Sequence, residues 1–160
     1  MPDMLVRLYD LDFSKFQKEI FEGELRIIRV LAPDNTRVVS FVRDHFSEGW
    51  ACECEKALRN NPATCFVAIV DKAMAGFACY DATARGYFGP TGVIGQYRQK
   101  GLGKALLLSC LKDMWDHDYG YAIIGWTDEA IEFYRKAVGA TVIEGSTPGI
   151  YKRLIDPNEG

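Results

Sequence analysis

The sequence predicts a mixed α/β fold in which helices cover both faces of a mostly antiparallel central sheet. Two apolar runs, Thr64–Val70 and Met74–Tyr80, flank a tight Asp71-Lys72-Ala73 turn and read as an antiparallel hairpin. A helical pattern from Gly101 to His117 then lies between a strand over Tyr87–Ile94 and a buried strand over Tyr121–Trp126, which is a crossover connection. Together with the elements at either end, the order is β-α-α-β-β-β-α-β-α-β-β, a meander joined to a crossover. At 160 residues the chain has the size of one domain, spanning residues 1–160.

Each element has its own signal. Residues 1–24 are an N-terminal extension of uncertain structure, where Asp12 followed by Phe13, Phe16 and Ile20 suggests a small helix. Leu25–Leu31 reads as a strand ended by Ala32-Pro33-Asp34, with Asp34 placed to cap a helix that carries Val38, Val39, Val42 and Phe46 on one face. Gly49 should break that helix, and Trp50–Leu58 reads as a second one, terminated by Asn60-Asn61-Pro62. Gly89, Pro90 and Gly92 interrupt the third strand of the meander and predict a bulge or an edge. In the crossover helix, Leu106, Leu107, Cys110, Leu111, Met114 and Trp115 form the apolar stripe, opposite Ser109, Lys112, Asp113 and Asp116. Glu129–Val138 is helical up to Gly139, and short strands near Thr141–Glu144 and Ile150–Leu154 close the chain.

Composition narrows the function. A net charge of −3 argues against nucleic acid as a partner, so any basic patch is local and suits a small anion. No apolar run reaches the ~20 residues of a membrane span, and the N-terminus lacks the pattern of a secretory signal. Five cysteines, several in apolar segments, fit buried reduced thiols and a cytoplasmic setting. Cys52-Glu53-Cys54 has no second Cys/His pair spaced to complete a metal site, so no metal is expected.

The stretch Gly95–Leu107, GQYRQKGLGKALL, brings glycines and cations to the start of a helix. A helix N-terminus offers unpaired amides and the positive end of the dipole, and glycine lets an anion come close. Arg98, Gln99, Lys100, Gly101, Leu102, Gly103 and Lys104 are therefore the candidate phosphate-binding residues. A Walker loop is excluded, because Arg98 stands where its first glycine belongs and Ala105 where its Ser/Thr belongs. A dinucleotide fingerprint is excluded as well, since Leu106 replaces its third glycine.

Arg98-Gln-Lys-Gly101-Leu-Gly103 does fit [Gln/Arg]-x-x-Gly-x-[Gly/Ala], and resembles the acetyl-CoA pyrophosphate loop of the GNAT N-acetyltransferase superfamily. The resemblance extends over roughly residues 25–154 and includes a second block, AIEFYRKAVGA. It implies a sheet splayed between Thr91–Ile94 and Tyr121–Trp126, with the pantetheine arm of acetyl-CoA pairing with the backbone of Gly92, Val93 and Ile94. It also implies that Tyr134 protonates the departing CoA thiolate. Gly95, Thr127 and Ala140 stand where the family has Pro, Asn and Phe.

The implied chemistry is direct attack of a primary amine on the thioester, which needs a base for the ammonium proton. The strands around the splay carry no carboxylate, and Asp81, at the end of the preceding strand, is the candidate base. Phe46, Glu48 and Trp50 cluster between the first two helices and are candidates for the acceptor pocket, with Glu48 able to hold a cation. The expected partner is a small-molecule amine, and a homodimer stays open. A catalytically silent acyl-CoA sensor would keep the same loop, and a wider splay would admit longer acyl groups.

Overall fold

The computed structural model describes residues 1–15, 25–98 and 101–157. Among these residues seven strands form one sheet: β1 Met4–Arg7, β2 Leu25–Arg29, β3 Cys65–Val70, β4 Ala73–Tyr80, β5 Tyr87–Val93, β6 Tyr121–Ile124 and β7 Thr141–Val142. Their order is β2-β3-β4-β5-β6-β1-β7. Every neighbouring pair is antiparallel except β5 and β6, which the crossover helix makes parallel. The helices are α1 Asn35–His45, α2 Glu48–Leu58, α3 Leu102–Asp116 and α4 Ile131–Val138.

Alternation along the strands sends side chains to two cores. Ala78, Tyr80, Phe88, Ala122 and Ile124 pack with α3 and α4, whereas Val67, Phe77 and Cys79 pack with α1 and α2. Helices thus cover both faces of a mixed sheet, as expected. The expected bulge is present too, since the register between β4 and β5 shifts between Ala78 and Tyr80, opposite Gly89 and Pro90.

Several local expectations are corrected. Met4–Arg7 is a strand, although the residues before 25 gave no clear pattern; Met4 and Val6 are fully buried and Arg7 is exposed, so the alternation is there but only four residues long. It occupies the position beside β6. The strand expected near Ile150–Leu154 is a 3-10 helix, Gly149–Arg153, which follows Pro148 and begins at a glycine with φ 60°. Of the small helix suggested near Asp12, only a 3-10 turn at Phe13–Lys15 lies within the described residues; Phe16 and Ile20 lie outside them.

Gly49 does not break a helix but sits inside α2. The break falls at Phe46 and Ser47, where the Ser47 hydroxyl caps α2 by accepting from the Trp50 N–H at 3.1 Å. Asp34 makes no side-chain cap and pairs with Arg37 at 3.5 Å. Trp115 is 43% exposed rather than part of the buried stripe. Asp113, expected on the solvent side, accepts from Arg29 at 2.6 and 3.1 Å and from the Tyr80 hydroxyl at 2.6 Å.

Candidate active site

β5 and β6 pair only at Tyr87–Ile123 and Phe88–Ile124. Beyond Phe88, β5 runs on to Val93 and pairs, among the described residues, with β4 alone, so its other edge is open to them. The peptide between Val93 and Ile94 shows how that edge is oriented. The Ile94 N–H points to β4, donating to the Ala75 carbonyl at 2.9 Å. A trans peptide aims its carbonyl the opposite way, so the Val93 oxygen faces the open side. There the Arg98 Nε reaches it at 3.2 Å, which sets a guanidinium on the open edge.

The open edge leads to the start of α3. Gly101 is its N-cap at φ 80°, a backbone region that favours glycine. The first intrahelical bond runs from the Ala105 N–H to the Gly101 carbonyl at 3.0 Å, so the amides of Leu102 and Gly103 precede the ladder. Among the described residues, and apart from the chain neighbours and the helix's own backbone, no atom lies within 4 Å of the position a Cβ would take at either Gly101 or Gly103. The helix therefore presents amides, positive dipole and empty space together, which suits a phosphate. Gln99 and Lys100 lie outside the described residues.

Tyr134 stands where the strands part. It is 7% exposed, and its ring meets Phe88, the last β5 residue paired with β6, edge-on at 6.3 Å between centroids. Among the described residues nothing hydrogen-bonds its hydroxyl, and burial alone pushes its pKa up to about 12. It is a neutral phenol with a proton to donate.

The opposite face is aromatic and then acidic. The Phe46 ring lies over Gly92, where a Cβ would come within 2.5 Å of it. Phe46 packs against Trp50 at 5.5 Å and Phe77 at 5.4 Å. Glu48 is held by the Arg43 Nε at 2.6 Å. Asp81 spends both carboxylate oxygens locally: one accepts from the Gly86 N–H at 2.7 Å and the other from the Tyr119 hydroxyl. It closes the β4–β5 turn. Thr127, in the family's Asn position, donates its hydroxyl to the Pro2 carbonyl at 2.9 Å.

Sequence reasoning missed a second polar group on this face. Glu53 of α2 accepts from the Thr83 hydroxyl, and burial raises its pKa. Tyr151, whose hydroxyl fills the space a side chain at Gly125 would need, packs on Trp126 at 4.1 Å between ring centroids. Gly125 is the first residue past the end of β6, so Tyr151 stands at the same parting point as Tyr134 but across the sheet. Burial, then the nearby charges of Glu53 and Asp3, raises the Tyr151 pKa. Asp3, 3% exposed, accepts from the Trp126 N–H at 3.3 Å. None of these residues belongs to a motif; only the fold brings positions 3, 53 and 151 together.

The profile of the Acetyltransferase (GNAT) family matches residues 15–140, and the chain belongs to that family. Solved structures share the fold at low identity. One, described as a GCN5-related glucosamine N-acetyltransferase region of a fungal multi-domain GH3 beta-N-acetylglucosaminidase, has a TM-score of 0.73 at 13% identity, over 89% of this chain and 19% of that one. A GCN5-related N-acetyltransferase from Sphaerobacter thermophilus gives 0.65 at 17%, over 89% and 48%. An aminoglycoside acetyltransferase from an uncultured soil metagenomic sample gives 0.54 at 18%, over 72% and 88%. The chain spans less than half the length of the first two. No curated protein matches. Among its described residues no helix is long and apolar enough to cross a membrane.

Proposed function

We propose that the protein transfers the acetyl group of acetyl-CoA to a primary amine of a small molecule by direct attack. The observation that carries this reading is the open edge of β5, which leads from Phe88 to the unobstructed amides at the start of α3. The backbone of Gly92, Val93 and Ile94 would pair with the pantetheine arm, and Leu102, Gly103, Lys104 and the Arg98 guanidinium would receive the pyrophosphate. Gln99 and Lys100, flanking that loop in sequence, would add to the same subsite.

The thioester then falls at the parting point of β5 and β6, between the two tyrosines. Tyr134 donates its proton to the CoA thiolate as the tetrahedral intermediate collapses. On the other face, Glu53 takes the ammonium proton through water, a role for which its raised pKa suits it; Asp81, which accepts from the Gly86 N–H and the Tyr119 hydroxyl, is the second candidate. Phe46 and Trp50 wall the acceptor side, with Glu48 set back on Arg43.

The test is ligand-dependent melting. A ligand that binds only the folded state raises the melting temperature. CoA without an acyl group should do so, and dephospho-CoA should do so less. Greater stabilisation by NAD or ATP than by CoA would show that the loop serves another nucleotide.

A further inference from the structure

Three cysteines from three different elements meet beneath α2, in the core that α1 and α2 cover. Cys54 lies on the inner face of α2, Cys65 opens β3 and Cys79 lies near the end of β4, directly opposite Cys65 in the hairpin register. All three are fully buried free thiols. Their sulfurs lie within 4.8 Å of one another, and those of Cys54 and Cys65 are 3.9 Å apart. Apolar side chains, among them Val30, Val67 and Phe77, make up the same core. Cys52 is exposed and Cys110 belongs to the core on the other side of the sheet.

Packing alone asks only for small apolar volume at these positions, which alanine or valine also supplies. Sulfur at all three adds affinity for soft ions. The size is close: with one side of 3.9 Å and none longer than 4.8 Å, an ion centred in the sulfur triangle stands about 2.3–2.6 Å from each sulfur, near the ~2.3 Å of a metal–thiolate bond. Among the described residues no further Cys, His, Asp or Glu joins the cluster, so the site offers three ligands.

Charge selects the ion. Three thiolates around Cu(I) or Zn(II) would leave net negative charge in a dry apolar core, where uncompensated charge is costly. A trivalent ion leaves none. We propose that Cys54, Cys65 and Cys79 form a three-sulfur site for a trivalent thiophilic ion of the arsenite and antimonite class. The exchange begins and ends neutral. Arsenous acid, As(OH)3, meets three thiols; three As–O and three S–H bonds break, three As–S bonds form, and three waters leave. Arsenic stays trivalent, so no oxidant or reductant takes part. Entry follows local opening of α2, so binding is slow and incubations are long.

The experiment is native mass spectrometry of the full chain after incubation with sodium arsenite, paired with maleimide labelling of the washed, then denatured, protein. The expected result is one arsenic per chain, with Cys54, Cys65 and Cys79 protected from label while Cys52 and Cys110 react. Cys65→Ala should lose most of the retained arsenic, and Cys52→Ala and Cys110→Ala should keep it. Labelling of the wild type needs no variant, so a misfolded Cys65→Ala leaves the test intact. Absence of arsenic on the folded wild type, or protection of any other set of thiols, would overturn the site. Tight Cu(I) or Zn(II) binding by these three sulfurs without arsenite binding would overturn the choice of ion.

Discussion

Tyr134 and Glu53 approach the parting point of β5 and β6 from opposite faces, and their protonation preferences suit opposite tasks. Burial holds Tyr134 protonated to about pH 12, so it remains an acid throughout the neutral range. Tyr134→Phe keeps the ring against Phe88 and removes only the hydroxyl. The expected outcome is a fall in kcat of ~10²–10⁴ with the acetyl-CoA dissociation constant unchanged, since one positioned acid contributes that much. A loss at the low end is expected where water replaces the phenol as donor. Glu53 must be ionised to act as a base, and burial raises its pKa above the ordinary glutamate value. Activity should therefore decline as pH falls through that raised value, and Glu53→Gln should lower kcat/KM and remove this acid limb. A limb unchanged in Glu53→Gln assigns the base elsewhere.

The glycine-rich start of α3 is where element geometry separates binding from folding. Gly101 sits at φ 80°, so a β-branched side chain there strains the backbone as well as blocking the anion. Gly103 is the cleaner probe. A Cβ there meets no atom of the described residues within 4 Å beyond its own helix's backbone and chain neighbours, and helix propensity favours alanine over glycine by about 0.5–1 kcal/mol. Gly103→Ala should melt at or above the wild-type temperature, and Gly103→Val should fold while losing acetyl-CoA affinity by calorimetry. Wild-type affinity in Gly103→Val would remove the phosphates from this loop. These features were legible in the sequence, because the hexapeptide Arg98–Gly103 encodes a local shape. Glu53, Tyr151 and Asp3 were not, because nothing local links positions so far apart, and neither were the bonds that Asp81 accepts from Gly86 and Tyr119.

At the scale of the whole molecule, the sheet joins both ends of the chain. β1 lies between β6 and β7, pairing Met4 with Ile124 on one side and with Val142 on the other. The hairpin, the crossover helix and the strand after it could be read from periodicity. The closing of the sheet by β1 could not, because four residues carry too little pattern and a pairing across the whole chain leaves no local trace. Met4 is fully buried, so Met4→Ala should cost about 2–5 kcal/mol in urea unfolding, as for other large-to-small core changes. Stability should also fall in alkali. Burial raises the pKa of Tyr80 and Tyr151 and, to about 12, those of Tyr119 and Tyr134. The unfolded chain releases these protons near pH 10 and the folded one only later, so the stability present below pH 10 drains as pH rises through the folded values. For Tyr134 alone this is about 2–3 kcal/mol, at ~1.4 kcal/mol per pKa unit. The urea midpoint against pH, for wild type and Tyr134→Phe, checks it.

Acetyl transfer in the cleft, beyond cofactor binding, is read by following free CoA thiol released from acetyl-CoA against a broad panel of primary amines. Saturable, amine-dependent release is expected for at least one acceptor, reduced by Tyr134→Phe and abolished by Gly103→Val. Release no faster than in buffer for every amine, from a protein that calorimetry shows to bind acetyl-CoA, would contradict it and leave a silent acyl-CoA-binding module in its place.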